Sequence, residues 1–186
     1  TGLTAEFVQK NNLRVKRSDF MSRLLKEQQL TVGLMDGRAT GKGSPGDFFN
    51  DPSMLVTIGP YVASVNDYLR DELGYKSSAA YIYLSEEANS HWDYGSALHG
   101  YVNVMDKLEE AISARHLKVF VASGYFDLDT PFLSAKYTIE HLGLAKSLRN
   151  KITFRCYDSG HMIYVSDSAL KKLTSDVSAF VSESIP

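Results

Sequence analysis

Residues 117–124, LKVFVASG, carry the reading of the fold. Leu117, Val119, Phe120, Val121 and Ala122 make a nearly continuous apolar run, the mark of a β-strand covered on both faces, as strands of parallel sheets are. The segment that follows, GYFDLDTPFLSAKYTIEHLG (124–143), passes through a polar turn and then takes up helical spacing. Pro131 falls near the first helical position, with Thr130 as candidate cap and Gly143 as the stop. KITFRCY (151–157) alternates Ile152, Phe154 and Cys156 and reads as a second strand. A last helix over 168–183 would bury Leu170, Leu173, Val177, Phe180 and Val181. Strand, helix, strand, helix predicts a βαβ unit with parallel strands and a closing helix.

Working upstream, the texture is more helical and less regular. Residues 1–30 read as two short helices, the second with Ser18 as candidate N-cap and Phe20, Met21, Leu24 and Leu25 on one face. TVGLMDGRATG (31–41) reads as a short strand with a turn at Asp36-Gly37, and GKGSPGDFFNDPS (41–53) as a loop. A helix over 58–73 aligns Tyr61, Val62, Val65, Tyr68, Leu69 and Leu73, and Gly74 ends it. AAYIYL (79–84) suggests a brief extended segment, and 99–114 a helix carrying Tyr101, Val104, Met105, Leu108 and Ile112. The expected organisation is therefore a mostly helical region, 1–115, followed by an α/β segment, 116–186.

The bulk composition narrows the class of partner. The chain has 186 residues, 44% hydrophobic and 23% charged, with a formal net charge of −2. Neither sign dominates, which argues against a nucleic-acid groove or an anionic membrane surface. The basic cluster LRVKR (13–17) is expected on a solvated face. No apolar run approaches the roughly 20 residues needed to span a bilayer. The single cysteine, Cys156, excludes an internal disulfide and CxxC chemistry and is expected as a small buried apolar residue. The chain begins TGLTAEFVQ, without Met or an apolar leader, so an upstream part is expected to have been removed.

Chemistry in an open parallel sheet collects at the carboxyl ends of the strands. Here the two strands end in GYFDLDTP (124–131) and YDSGHM (157–162). If the strands are neighbours, Asp127 and His161 reach the same edge. An aspartate that accepts from an imidazole holds one tautomer and stabilises the imidazolium, leaving the other ring nitrogen to deprotonate a hydroxyl. Each residue also has a plainer reading: Asp127 as the cap of the following helix, and His161 as a satisfied buried histidine.

The pair VFVASGYFDLDTPF (119–132) and ITFRCYDSGHMIY (152–164) resembles the C-terminal signature of the serine carboxypeptidase family of α/β-hydrolases. In that family a strand ends in a turn, often G-D-x-D, that bears the triad aspartate, and a later strand ends in G-H-M with the triad histidine. By position Asp127 and His161 match these two. Tyr125 stands where the first aspartate of the turn often is, and Asp129, without a catalytic counterpart, reads as a helix cap. GLMDGRATG (33–41) and HWDYG (91–95) are similar to pieces of bacterial members. The resemblance implies a helical cap followed by a C-terminal piece of hydrolase core. It also implies a peptide substrate, no cofactor or metal, and export to the periplasm or exterior.

A hydrolase of this kind needs a serine in a G-x-S-x-G elbow ahead of the aspartate. GKGSPG (41–46) has Lys42 two residues before Ser44, and YGSALHG (94–100) has Leu98 where the second glycine belongs. The family's oxyanion turn and substrate-carboxylate binders are not recognisable either. The chain is thus expected to be the C-terminal part of a peptidase, inactive by itself, with its complementary N-terminal part as partner. Two other classes stay open: an acyltransferase or lyase on the same fold, and a non-catalytic fragment that binds its complementary chain. A metal site at His91, His99, His116 or His141 lacks ligand spacing. GRATGKGSPG (37–46) departs from the phosphate-loop order and reads as a loop.

Overall fold

The computed structural model describes residues 2–45, 47–95, 102–114 and 117–185. Tyr101, His99, His116, the Ser96 and Leu98 of YGSALHG, and the Gly46 of GKGSPG lie outside them. The chain is mixed α/β and forms two compact units, residues 1–54 with 105–186, and residues 55–104. The N-terminal segment, expected with the helical region, belongs to the same unit as the C-terminal strands.

In the larger unit, β3 (Val119–Gly124) and β4 (Ile152–Tyr157) pair in parallel and in register, from Val119 opposite Ile152 to Gly124 opposite Tyr157. The crossover contains α6 (Phe132–Glu140) and a 3-10 turn, Lys146–Lys151, and α7 (Asp167–Ser184) follows β4. This is the βαβ unit that the alternation of apolar strands with helical spacing predicts. Among the described residues this sheet has these two strands, and β3 is half-buried along much of its length, with Ala122 exposed, instead of covered on both faces.

Among the described residues, two clusters of buried apolar side chains pack around this unit. Ile112, Leu142 and Leu144 are buried together, with Met105, Leu108, Val119, Leu148 and Ile152 against them. Ile112 and Leu108 come from α5 (Met105–Ala114), which begins six residues later than the apolar spacing suggests; Val102 and Val104 ahead of it are exposed. The second cluster, Tyr157, Ile163 and Ala169 with Leu173, ties the end of β4 to α7. The Tyr157 hydroxyl completes it by donating to Asp176 at 2.9 Å. Along α7 the expected face is only partly covered: Phe180 packs on Phe120 at 5.4 Å, Leu170, Val177 and Val181 stay exposed, and the buried position is Ala169. Cys156 is half-buried.

The first 54 residues contribute α1 (Ala5–Lys10), α2 (Arg17–Arg23) and a hairpin of β1 (Thr31–Val32) with β2 (Thr40–Gly41). Ser18 lies inside the first turn of α2, and Lys16, without a side-chain cap bond, occupies the cap position. Asp19 in that turn offers the helix dipole a negative charge instead. Met21 is the buried residue of α2, and β1 is buried beside it.

Helix α3 runs Pro52–Asp67 and continues as a π-helical turn, Tyr68–Glu72, so it starts six residues earlier than its apolar spacing shows. Pro52 at the first helical position, after an aspartate, is a start signal that the loop-like composition of 41–53 obscures. Gly74, at a φ of +61°, ends it where expected. In the smaller unit, the helix face of Tyr61, Tyr68 and Leu73 is exposed, α4 (Glu86–Ser90) is short, and 79–84 form no strand. An extended segment without a ladder partner leaves its backbone groups to water. No helix among the described residues is long and apolar enough to cross a membrane.

Candidate functional site

Past their last ladder residues, β3 and β4 stay together. The Tyr125 amide donates to Tyr157 O at 3.0 Å, and the Phe126 amide to Ser159 O at 3.1 Å. The two polar turns therefore leave the sheet side by side. Gly124 and Gly160 make this possible. A Cβ on Gly124 would collide with the carbonyl oxygens of Gly160 and Ser159, and one on Gly160 would collide with Met35 O and reach Asp36 Cβ at 2.6 Å.

At this edge Asp127 and His161 meet, with His161 Nδ1 2.9 Å from Asp127 Oδ2. The carboxylate is 4% exposed and the imidazole 37%. An ionised carboxylate only accepts, so Nδ1 carries the proton and Nε2 is the nitrogen left for a reacting group. Both carboxylate oxygens are used. Oδ1 accepts from the amides of Asp129 and Thr130, each at 2.8 Å, and Oδ2 accepts from the Thr130 hydroxyl at 2.6 Å as well as from His161. Burial pushes the Asp127 carboxyl up, but the Thr130 and His161 hydrogen bonds outweigh it and hold the group below the ordinary carboxylate value.

Asp127 thus does both things the sequence offered for it: it organises the turn ahead of α6 and it faces the histidine. Thr130, expected as the helix cap, is instead committed to the carboxylate, and its hydroxyl also lies 3.1 Å from His161 Nδ1; Pro131 takes the cap position. Asp129 does not cap α6 either. It pairs with Arg17 at 2.8 Å, and the same guanidinium donates to the Asp129 carbonyl at 3.1 Å. Arg17 belongs to the basic cluster expected on a solvated face. It is half-exposed, and its ion pair is worth about 0–1 kcal/mol, yet it anchors the aspartate turn to α2.

The turn between β1 and β2 forms the floor of the site, a role for which the sequence offered only similarity. The Leu128 amide donates to Leu34 O at 3.1 Å, the Gly37 amide to Phe126 O at 2.8 Å, and the His161 amide to Met35 O at 2.6 Å. Arg38 joins all three loops. It grips both oxygens of Asp36, at 3.0 and 2.7 Å, reaches Asp158 at 3.5 Å, and lies over the Phe126 ring at 4.4 Å. Asp36 is pushed up by burial but drawn further down by Arg38 and the Gly160 amide. The signal that could have found this floor is the Asp36-Gly37-Arg38 turn, charged and flexible residues within the link, 33–39, between two short strands.

Among the described residues the hydrogen-bonding partners of the His161 ring are Asp127 and Thr130; no serine or cysteine side chain is one of them. Nor does any group of three His, Cys, Asp or Glu among the described residues gather as metal ligands. Chemically, the arrangement is a partly exposed imidazole oriented by a buried carboxylate. No protein-family model matches the chain, no curated protein is significantly similar to it, and no solved structure matches it.

Proposed function

We propose that this chain is the C-terminal portion of a serine-type carboxypeptidase of α/β-hydrolase architecture, contributing the aspartate and histidine of a Ser-His-Asp triad. The nucleophilic serine would come from sequence outside these residues. The observation that supports this most directly is the contact of His161 Nδ1 with a buried Asp127 at 2.9 Å, built by adjacent parallel strand ends. A buried aspartate that is hydrogen-bonded from four directions is an effective orienting group, because it cannot rotate away or take the proton itself.

In this reading His161 Nε2 takes the serine hydroxyl proton as the oxygen attacks the C-terminal peptide carbonyl. It then passes that proton to the departing amino acid's nitrogen as the C–N bond breaks. Water, deprotonated by the same nitrogen, then adds to the acyl carbon, and the imidazolium returns the proton to the serine oxygen as the acyl–serine bond breaks. Asp127 keeps Nδ1–H directed and stabilises the positive charge that the ring carries between these transfers. Among the described residues no serine bonds to the imidazole, so in this reading the chain alone should not hydrolyse peptides.

The test uses the full-length protein that contains this chain, assayed for release of free C-terminal amino acids from blocked peptides. Wild type should release them, and His161→Ala should abolish release while the protein remains folded. Hydrolysis at wild-type rates by His161→Ala would reject the reading. Acyl transfer to an added amine or alcohol, without release to water, would redirect it to an acyltransferase.

A further inference from the structure

Asp51 is 3% exposed and has no place in the pair described above, yet its carboxylate is fully engaged. Oδ1 accepts from the amides of Ser53 and Met54, at 2.9 and 3.2 Å, and from the Ser53 hydroxyl. That is the bonding of a helix cap, at the start of α3. Oδ2 does something a cap does not require: it accepts from the Leu34 amide at 2.7 Å. Ser53 Oγ takes the next amide, Met35, at 3.0 Å.

The backbone amides of Leu34 and Met35 are therefore both held, by Asp51 and by Ser53. The carbonyls of the same two residues bond to the loops of the site. Leu34 O receives the Leu128 amide of the aspartate turn, and Met35 O receives the His161 amide. One short segment thus touches both halves of the pair, and a buried carboxylate fixes it. A buried acceptor set of this kind is rigid, because breaking any link strands a buried polar group.

Resting on the triad reading, we propose that Asp51, with Ser53, is a positioning residue for the Asp127–His161 pair, acting through the Leu34–Met35 backbone. The bland alternative is a helix cap and nothing more. Two substitutions separate them. Asp51→Asn keeps a good cap, since asparagine oxygen can serve Ser53 and Met54, but sets an amide donor against the Leu34 N–H. Ser53→Ala leaves Asp51 and its amide bonds at the helix start in place, and removes the acceptor of the Met35 amide together with the hydroxyl bond to Asp51 Oδ1.

The experiment is NMR on this chain, which needs no activity. In wild type the His161 Nδ1 proton should give a downfield resonance from its bond to Asp127, and the His161 and Leu128 amides should exchange slowly. Either variant should shift or broaden the ring resonance and speed exchange of those two amides about tenfold or more, with β3 and β4 amides unchanged. If Asp51→Asn does not fold, Ser53→Ala decides. A folded Ser53→Ala chain that keeps the wild-type resonance and protection overturns the inference and leaves the triad reading standing. Absence of the downfield resonance in wild type overturns the pair itself, and the inference with it.

Discussion

The Thr130 hydroxyl donates to Asp127 Oδ2 at 2.6 Å, the same oxygen that receives His161 Nδ1 at 2.9 Å. A carboxylate oxygen with two donors is more stable as an anion and less free to turn. Thr130 thus belongs to the pair as much as to the helix that follows it.

Thr130→Val, which keeps the shape and removes the hydroxyl, should raise the Asp127 pKa toward its ordinary value and lower turnover of the full-length protein about tenfold. It should also destabilise the chain by about 1–2 kcal/mol. Urea unfolding of the chain and the kcat of the full-length protein check the two effects separately. An unchanged kcat would mean that Thr130 serves only the turn.

Asp127→Asn should cut turnover by roughly 10⁴, by analogy with the same substitution in the serine-protease triad, where the wrong imidazole tautomer results. The structure adds a stability cost, because the asparagine amide would face the Thr130 hydroxyl and His161. About 1–3 kcal/mol is expected. Turnover near wild type would defeat the triad assignment.

Gly160→Ala should be more damaging than its size suggests. The added methyl meets Met35 O and Asp36 Cβ, so the His161 turn must withdraw from the floor of the site. A loss of about 1–3 kcal/mol is expected, together with faster exchange of the His161 amide. A stable variant with a protected His161 amide would show that the loops separate more easily than this packing implies.

Stability should fall in acid for a stated reason. Asp127 and Asp36 are both held below the ordinary carboxylate value of 3.8 in the folded chain. The unfolded chain therefore binds their protons more readily. The stabilisation from both groups is fully present above that ordinary value and is lost as pH falls through the lower folded values. Denaturant unfolding at pH 7 and pH 3 measures it. The decline should shrink in Asp127→Asn, and an equal decline in that variant would assign it to other carboxylates.

Part of this architecture was legible before any fold was known, and the reasons are local. β3 and β4 announce themselves by apolar runs, Gly74 by the stop it makes, and Asp127 and His161 by standing just past two strands of one crossover. What was misread was misread for want of a partner. Thr130 and Asp129 look like caps because threonine and aspartate before a helix usually are. Only the approach of His161 and Arg17, from distant parts of the chain, assigns them otherwise. The start of α3 was hidden because Asp51-Pro52-Ser53 has loop composition and takes its meaning from the amides of Leu34 and Met35.

By itself, then, the amino-acid order determined the parallel βαβ unit and the two residues at its edge, because strand and helix periodicity and short crossovers are properties of contiguous residues. The tertiary structure decided that Asp127 and His161 touch, that Thr130 shares their oxygen, and that the turn of Met35, Asp36 and Arg38 lies beneath them. Those contacts join residues far apart in the chain. Their geometry depends on two glycines letting backbones close to distances that no local pattern encodes.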